Sequence, residues 1–183
     1  MLPFKQISEE ILYSSSAITK VRGSDIEFLK RKSLKNIKKR VRLCSHPGID
    51  DALHEMIIVH HKGNYIPPHK HPGKSESFHI VEGCLMVVVF DDNGDIHDVI
   101  EMSERKVMEG LFYYRLSKSL FHTVIPCSSI VVFHETTNGP FRRQDMIFAK
   151  WAPGENDPEE QQLAYINDLK VKIEEFNSRN SPV

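Results

Sequence analysis

Short apolar segments separated by turn residues dominate the centre of this 183-residue chain. From about residue 55 onward these segments have the length of β-strands, and several alternate apolar with polar residues. The intervals between them hold turn-forming sequences, namely KGN at 62–64, DNG at 92–94 and TNG at 137–139. A parallel sheet would need a helix after each strand, and the sequence indicates none. The pattern therefore predicts a mainly β fold, either an antiparallel sandwich or a barrel.

Two helices are predicted to flank the β region. The first is SDIEFLKRKSLKNIKKR, which has apolar residues at helical spacing and Ser24 as its N-cap. The second is NDPEEQQLAYINDLKVKIEEFNSRN, in which Pro158 occupies the first turn. A chain of this length, with 40% hydrophobic residues, suits a single core. We divide it into an N-terminal helical or extended segment (1–48), a β-barrel domain (49–153) and a C-terminal helix with its tail (154–183).

Residues 63–83, GNYIPPHKHPGKSESFHIVEG, carry side chains that suit a metal ion. His69 and His71 are one residue apart, so on an extended strand both imidazoles point to the same face. The PGKS sequence that follows is turn-forming, which predicts that Glu76 returns beside them on the next strand. His79 is three residues from Glu76 and should face the other way. Two imidazoles and a carboxylate are typical ligands of a divalent transition metal.

The spacing of this segment also resembles the first motif of the cupin superfamily. The five positions of that motif are Gly63, His69, His71, Glu76 and Gly83. The second cupin motif contributes one more histidine from a later strand, and His122 in SKSLFHTVIP matches it. The resemblance implies a jelly-roll barrel that binds a metal through His69, His71, Glu76 and His122.

Further phrases resemble the WbuC-type cupin-fold metalloproteins, which are associated with bacterial surface-polysaccharide gene clusters. These phrases are RVRLCSH, PPHKHPGKSESFHIVEG, FHTVIP, FHETTNGPF and FAKWAPGE, between about residues 40 and 155. Similar proteins carry an arginine and a histidine in the first phrase, and Arg42 and His46 match them. The resemblance therefore implies a sugar-related ligand, with Arg42 as a possible ligand contact and His46 as a possible base.

Composition restricts the cellular role. The net charge of −1 argues against a nucleic-acid or anionic-membrane binder, because both need a basic excess. Three cysteines are too few for a disulfide framework and indicate a reducing compartment. The N-terminal sequence MLPFKQISEE does not have the basic flank and apolar run of a signal peptide, and no apolar stretch reaches membrane-spanning length. We expect a cytoplasmic protein.

Several other residues are candidates for ligand contact or catalysis. If Val131 and Phe133 face the interior of the barrel, Glu135 does too, and an inward carboxylate is costly unless it has a partner or a role. Glu135 is therefore a candidate general base, or a residue that orients a metal ligand. Alternate residues of Tyr113-Tyr114-Arg115 must also face inward, so Tyr114 and Arg115 are candidate substrate contacts whose register is open. The basic residues between 30 and 42 form either a solvated helix face or a site for a phosphate group.

These observations lead to one main functional hypothesis. We expect one divalent transition-metal ion per chain, either zinc, iron, nickel or manganese, in a homodimer that binds a small sugar-derived ligand. A six-coordinate ion would keep two positions open for an isomerase-like or epimerase-like reaction on a sugar or nucleotide sugar. The alternatives are a non-catalytic metal-dependent sugar-binding or regulatory module, and an iron-dependent dioxygenase. The native metal separates the last of these, because zinc has no redox chemistry.

Overall fold

A computed structural model describes residues 2–106 and 110–180. This part of the chain contains two α-helices, α1 (Gly23–Leu34) and α2 (Glu159–Asn180), and a short 3-10 turn at Arg143–Asp145. It also contains twelve strands: β1 (Phe4–Gln6), β2 (Ile11–Ser14), β3 (Arg40–Cys44), β4 (Leu53–His61), β5 (His69–Lys70), β6 (Glu76–Glu82), β7 (Cys84–Phe90), β8 (Ile96–Ser103), β9 (Tyr113–Leu116), β10 (Phe121–Pro126), β11 (Ile130–Asn138) and β12 (Ile147–Phe148). Residues 107–109, which belong to the predicted strand KVMEGLFYYRL, lie outside the described residues.

The strands form two sheets that pack face to face. One sheet has the order β1-β2-β3-β4-β11-β6-β9, and the other has the order β12-β5-β10-β7-β8. Residues that alternate along the strands of both sheets meet in one apolar core, including Phe78 and Phe133 from the first sheet and Val87 and Val124 from the second. The prediction of a mainly β, largely antiparallel fold is confirmed. Among the twelve strands of the described residues, β2 and β3 alone pair in parallel. A closed jelly-roll barrel stays a prediction.

Each sheet is covered on its outer face by one helix. Ile26 and Leu29 of α1 pack with Val41, Leu43 and Val59 on the seven-stranded sheet. In the same way, Leu169 and Ile173 of α2 pack against Val88, Phe90 and Phe121 on the five-stranded sheet. Because the helices cover parts of the outer faces of the two sheets, side chains on the interior faces are the ones that can converge on a site.

The first helix is shorter than predicted. Its N-cap is Arg22 rather than Ser24, and the Asp25 carboxylate accepts the backbone N–H groups of both Arg22 and Leu2 at 2.9 Å. The helix ends at Leu34, where the Asn36 side chain forms hydrogen bonds with the backbone of Arg40 that compete with continuation of the helix. Its amide donates to the carbonyl of Arg40 at 2.6 Å and accepts the N–H of the same residue at 3.2 Å. The chain then turns directly into β3.

Three of the eight basic residues between 30 and 42 are paired with carboxylates. Arg40 contacts Glu10 at 2.6 Å and Glu155 at 2.5 Å, and Lys38 contacts Glu155 at 2.9 Å. Lys30 contacts Glu82. These pairs reduce the positive charge of the segment, and those of Arg40 and Lys38 connect it with the loop before α2. A phosphate site on the remaining basic residues stays a prediction.

Neither helix in the described part of the chain is long and apolar enough to cross a membrane.

Candidate metal centre

The two sheets bring the predicted metal ligands together at one end of the interior. His69 on β5 and His122 on β10 are directly opposite each other in the antiparallel register of the five-stranded sheet. His71 follows one residue after β5, and its ring centroid lies 4.9 Å from that of His69 and 5.7 Å from that of His122. One nitrogen from each of the three histidines lies within 4.8 Å of the other two. The three histidines therefore form a group that could hold a metal ion.

This separation is larger than the spacing of ligands around one ion. Zinc–nitrogen bonds are about 2.0–2.1 Å long, so neighbouring nitrogens on a four-coordinate ion are roughly 3.3 Å apart. The three side chains would have to approach one another by about 1 Å to bind one ion together.

Glu76 reaches the same place from the opposite sheet. It begins β6, is 4% exposed and shares the interior face with Phe78 and Ile80. Its Oε1 lies 2.9 Å from His122 Nε2, and its Oε2 lies 3.9 Å from His71 Nε2. His79 is exposed on the outer face, which confirms the alternation predicted for this strand.

The backbone fixes the orientation of two of the imidazoles. His69 Nδ1 lies 2.9 Å from the carbonyl oxygen of Pro67, and His122 Nδ1 lies 3.1 Å from that of Leu120. A carbonyl oxygen can only accept, so both Nδ1 atoms donate and both Nε2 atoms keep a free lone pair. This arrangement is typical of metal-binding histidines, whose other ring nitrogen donates to a carbonyl or carboxylate.

Two buried atoms in the centre lack hydrogen-bond partners among the described residues. They are Glu76 Oε1 and His122 Nε2, which lie close enough for an ion pair but without the geometry of a hydrogen bond. Buried polar atoms are rarely left unpaired unless a ligand, ion or water satisfies them. The three histidines fit a divalent transition metal. Glu76 lies beside His122 and His71 but is not part of the group whose ligand atoms are all within 4.8 Å of one another.

The pKa shifts in the centre follow from burial and from this carboxylate. Burial, together with the neighbouring His122 and His71, lowers the pKa of His69 to about 3. For His122, burial opposes the charged form but the adjacent Glu76 outweighs it, so the pKa is raised. For Glu76, burial favours the neutral acid but His122 outweighs it, so the pKa is lowered. Both shifts arise from the attraction between the His122 imidazole and the Glu76 carboxylate.

Glu135 lies on the interior face of β11, as predicted, together with Val131 and Phe133. Burial, and after it the charge of Glu76, raise the pKa of its carboxyl group to about 7, although Arg42 and His122 act in the opposite direction. The side chain as a whole is partly exposed, but its carboxyl group is enclosed enough for burial to be the main cause. Glu135 is thus within electrostatic reach of two proposed metal ligands.

Of the two candidate substrate contacts on β9, Tyr114 faces the core and Arg115 faces outward. Tyr114 faces the core, 5.5 Å from the ring of Phe78, and its buried hydroxyl has no hydrogen-bond partner among the described residues. Arg115 lies on the opposite face of β9, exposed, where its Nε donates to Ser117 at 3.1 Å. Because neighbouring strand residues face opposite ways, the structure does not bring Arg115 to the centre.

The two candidates from the N-terminal segment, Arg42 and His46, also differ in their relation to the metal centre. Arg42 is partly buried, and its charge lowers the pKa of Glu135. His46 is 6% exposed and stacks on His54 with 4.0 Å between ring centroids. Its Nδ1 accepts the N–H of Glu55 at 3.1 Å. None of the contacts described for His46 is with the metal centre, so the structure does not place it as a base there.

A small cleft opens onto the centre and contains two lysines that the sequence analysis did not select. The lining residues include His71, Glu76 and His122, together with Lys74, Lys118 and Leu116. The cleft has a volume of about 180 Å³, part of which is open to solvent. Lys74 lies between His71 and Glu76 in the sequence, and Lys118 lies four residues before His122. This proximity to the predicted ligands is the one feature of the sequence that could have indicated their place in the cleft.

Comparison with known proteins supports the fold more than the function. A family model described as "Domain of unknown function (DUF6016)" matches residues 21–102. No curated protein matches the chain. Among solved structures, protein SO0799 from Shewanella oneidensis is 8% identical with a TM-score of 0.53, over 71% of this chain and 85% of that one.

Other structural neighbours include cupin-fold proteins with lower TM-scores. The Cnp3 cupin domain of Schizosaccharomyces pombe is 12% identical with a TM-score of 0.42, over 55% of this chain and 64% of that one. The capsular polysaccharide assembling protein CapF from Staphylococcus aureus is 20% identical with a TM-score of 0.44, over 54% of this chain and 27% of that one. The chain thus spans about a quarter of CapF, and these likenesses concern the fold alone. The narrower resemblance to WbuC-type proteins stays a prediction.

Proposed function

We propose that this chain is a metal-binding cupin that acts on a sugar or nucleotide-sugar derivative by an isomerase-like or epimerase-like reaction. The observation that carries the proposal is the convergence of His69, His71 and His122 from one sheet with Glu76 from the other, around two buried atoms without hydrogen-bond partners. The sugar-related substrate rests on the sequence resemblance to WbuC-type proteins.

Within this proposal the chain supplies four ligands and one group that can move a proton. A divalent ion held by His69, His71, Glu76 and His122 would act as a Lewis acid on a ligand oxygen. Glu135 has a pKa near neutrality, which is the value that suits a general acid or base at physiological pH. Its place on the interior face of β11 favours it over His46, whose described contacts lie elsewhere. Its task would be to remove a proton from the carbon next to a polarised carbonyl.

A second candidate is a metal-dependent sugar-binding or regulatory module without turnover. The small enclosed space of the cleft favours it, because room for about one water molecule leaves little space for a reacting substrate. The deep burial of His122 and Glu76 favours it too, since an enclosed ion offers less room for a substrate. An iron-dependent dioxygenase would instead require iron as the native metal.

The experiment that separates these candidates uses deuterium exchange. The metal-loaded protein is incubated in D₂O with a panel of aldoses, ketoses and nucleotide sugars, and incorporation of deuterium next to the carbonyl is followed by NMR. We expect exchange with the wild-type protein and a loss of at least about 100-fold with Glu135→Gln, at unchanged metal content. His134→Gln is the matched control, because His134 is the neighbouring residue on β11 and faces outward.

The outcomes are distinguishable. Binding of a sugar without any exchange would favour the module, and full exchange by Glu135→Gln would remove Glu135 from the mechanism. Protein that contains no transition metal after purification without chelator would contradict both candidates. Native iron with oxygen consumption would favour the dioxygenase.

A further inference from the structure

The cleft above the metal centre has a marked excess of positive charge. Lys74 and Lys118 both line it, and Glu76 is the only carboxylate among the lining residues. A divalent ion on the four proposed ligands would add two further positive charges. The two lysines and the ion would then outweigh Glu76 even if the nearby Asp145 were counted as well.

The two lysines differ in how they are held. Lys74 is only 13% exposed, donates to the carbonyl oxygen of Pro140 at 2.5 Å and lies 3.7 Å from Asp145. Its ammonium group is therefore fixed in place and partly compensated. Lys118 is exposed at the cleft, and within residues 2–106 and 110–180 its side chain has neither a hydrogen bond nor an ion pair. Lys118 therefore offers a complete set of donors to a ligand.

The positive charge of the cleft lies elsewhere than in the basic segment 30–42, for which the sequence suggested a phosphate site. The basic residues near α1 and β3 are the ones that suggested a phosphate site, but Lys30, Lys38 and Arg40 are occupied by carboxylates of the same chain. The lysines of the cleft lie instead beside the proposed metal ligands. Focusing of the field by the walls of a cleft increases the attraction of an anion to such a site.

The shape of the cleft limits how a ligand can enter it. Its volume of about 180 Å³ includes space open to solvent, and the enclosed part has room for about one water molecule. A ligand would therefore place only its acidic group in the cleft, and the rest of the molecule would extend over the rim.

We propose that the cleft binds a small acidic sugar, with its carboxylate or phosphate group held by Lys118 and assisted by Lys74. This inference rests on the proposed function, because it adds a substrate class to the same metal centre. It identifies Lys118 as a specificity-determining residue. Leu116 and Leu120 would contact the uncharged part of the sugar.

The test measures binding to the metal-loaded protein by calorimetry. The probes are inorganic phosphate, glucuronate, glucose 6-phosphate and glucose. We expect the two acidic sugars to bind at least about tenfold more tightly than glucose, since one charge-assisted hydrogen bond is worth roughly that factor. A preference between glucuronate and glucose 6-phosphate distinguishes a carboxylate from a phosphate ligand.

Two variants assign the effect to the cleft. Lys118→Gln should weaken binding of the acidic sugars and of inorganic phosphate about 3- to 10-fold and leave the affinity for glucose unchanged. Lys170→Gln is the matched control, because Lys170 is an exposed lysine on α2 without an ion pair among the described residues. Metal content, measured in parallel, should be the same for all three proteins.

Specific results would overturn the inference. Equal affinities for glucose and the acidic sugars, or equal phosphate affinities of Lys118→Gln and the wild type, would show that Lys118 does not select the ligand. Failure of the proposed function appears differently, as absence of bound metal. If metal is bound and phosphate binding depends on Lys118 but no sugar binds, the anion site stands and the sugar assignment falls.

Discussion

The clearest test of the metal centre is the effect of metal on stability in two histidine variants. His71→Ala removes one proposed ligand, and His79→Ala removes an exposed histidine on the outer face of β6. His71 is preferable to His122 because its side chain is 19% exposed, against 2% for His122. Truncation of a fully buried residue would leave a cavity and destabilise the metal-free protein as well.

The expected size follows from linkage between binding and folding. A ligand present at 100 times its dissociation constant stabilises the folded state by about 2.7 kcal/mol. Loss of one of four ligands should weaken binding by about 100-fold or more, which lowers this contribution to about 0.4 kcal/mol. For a chain of this size, 1 kcal/mol corresponds to roughly 2–4 °C in Tm. The metal-induced rise in Tm should therefore fall from about 5–11 °C to about 1–2 °C.

The assay is differential scanning fluorimetry of chelator-treated protein with and without added zinc or manganese, combined with metal analysis. We expect the wild type and His79→Ala to show the full rise in Tm and His71→Ala to show little of it. A full rise in His71→Ala would show that His71 is not a ligand. An equal loss in His79→Ala would show that the effect does not depend on the interior centre.

Three further predictions concern other parts of the molecule. Gly83→Ala should lower the free energy of unfolding in urea by about 3 kcal/mol or more, because φ is +80° and a Cβ would lie 2.4 Å from Ser128 Oγ. Gly63→Ala, at φ +90° in open space, should lower it by about 1 kcal/mol. Equal losses in the two variants would refute this prediction. In metal-free protein, the wild type should lose stability as pH rises from 4.5 to 8, because Glu135 has a pKa of about 7 in the folded state and a lower one when unfolded. The stability of Glu135→Gln should therefore rise by about 1–2 kcal/mol relative to the wild type over this range. A difference in stability that does not change with pH would contradict the raised pKa. Light scattering should show a homodimer, since the exposed Leu111 and Phe112 lie next to the edge strand β9; a monomer at micromolar concentration would refute it.

Strand periodicity accounts for the parts of the site that could be predicted. Alternation along a strand correctly placed Glu76 inside and His79 outside, and it placed Glu135 with Phe133. The same periodicity could not choose between Tyr114 and Arg115, because a period of two leaves the phase open until one residue is known to be buried. The side chain of Tyr114 faces the core only because its strand pairs with β6 in the observed register.

Contacts between distant residues account for much of what could not be predicted. Arg40 is paired with Glu10 and Glu155, and the second of these lies 115 residues away in the chain. Local sequence shows the cluster of cations but not the carboxylates that neutralise them. Likewise, the position of Lys118 beside the metal centre follows from the turn before β10 and from the packing of two sheets, neither of which has a local sequence signal.

The distribution of the proposed ligands over two sheets has a mechanical consequence. His69 and His122 belong to one sheet and Glu76 to the other, and in the described residues no strand of one sheet pairs with a strand of the other. An ion bound by all three would act as a cross-link between layers that are otherwise held by apolar contacts. Its removal should increase the movement of the sheets relative to each other, so that amide hydrogen exchange rises in both sheets together rather than in one loop.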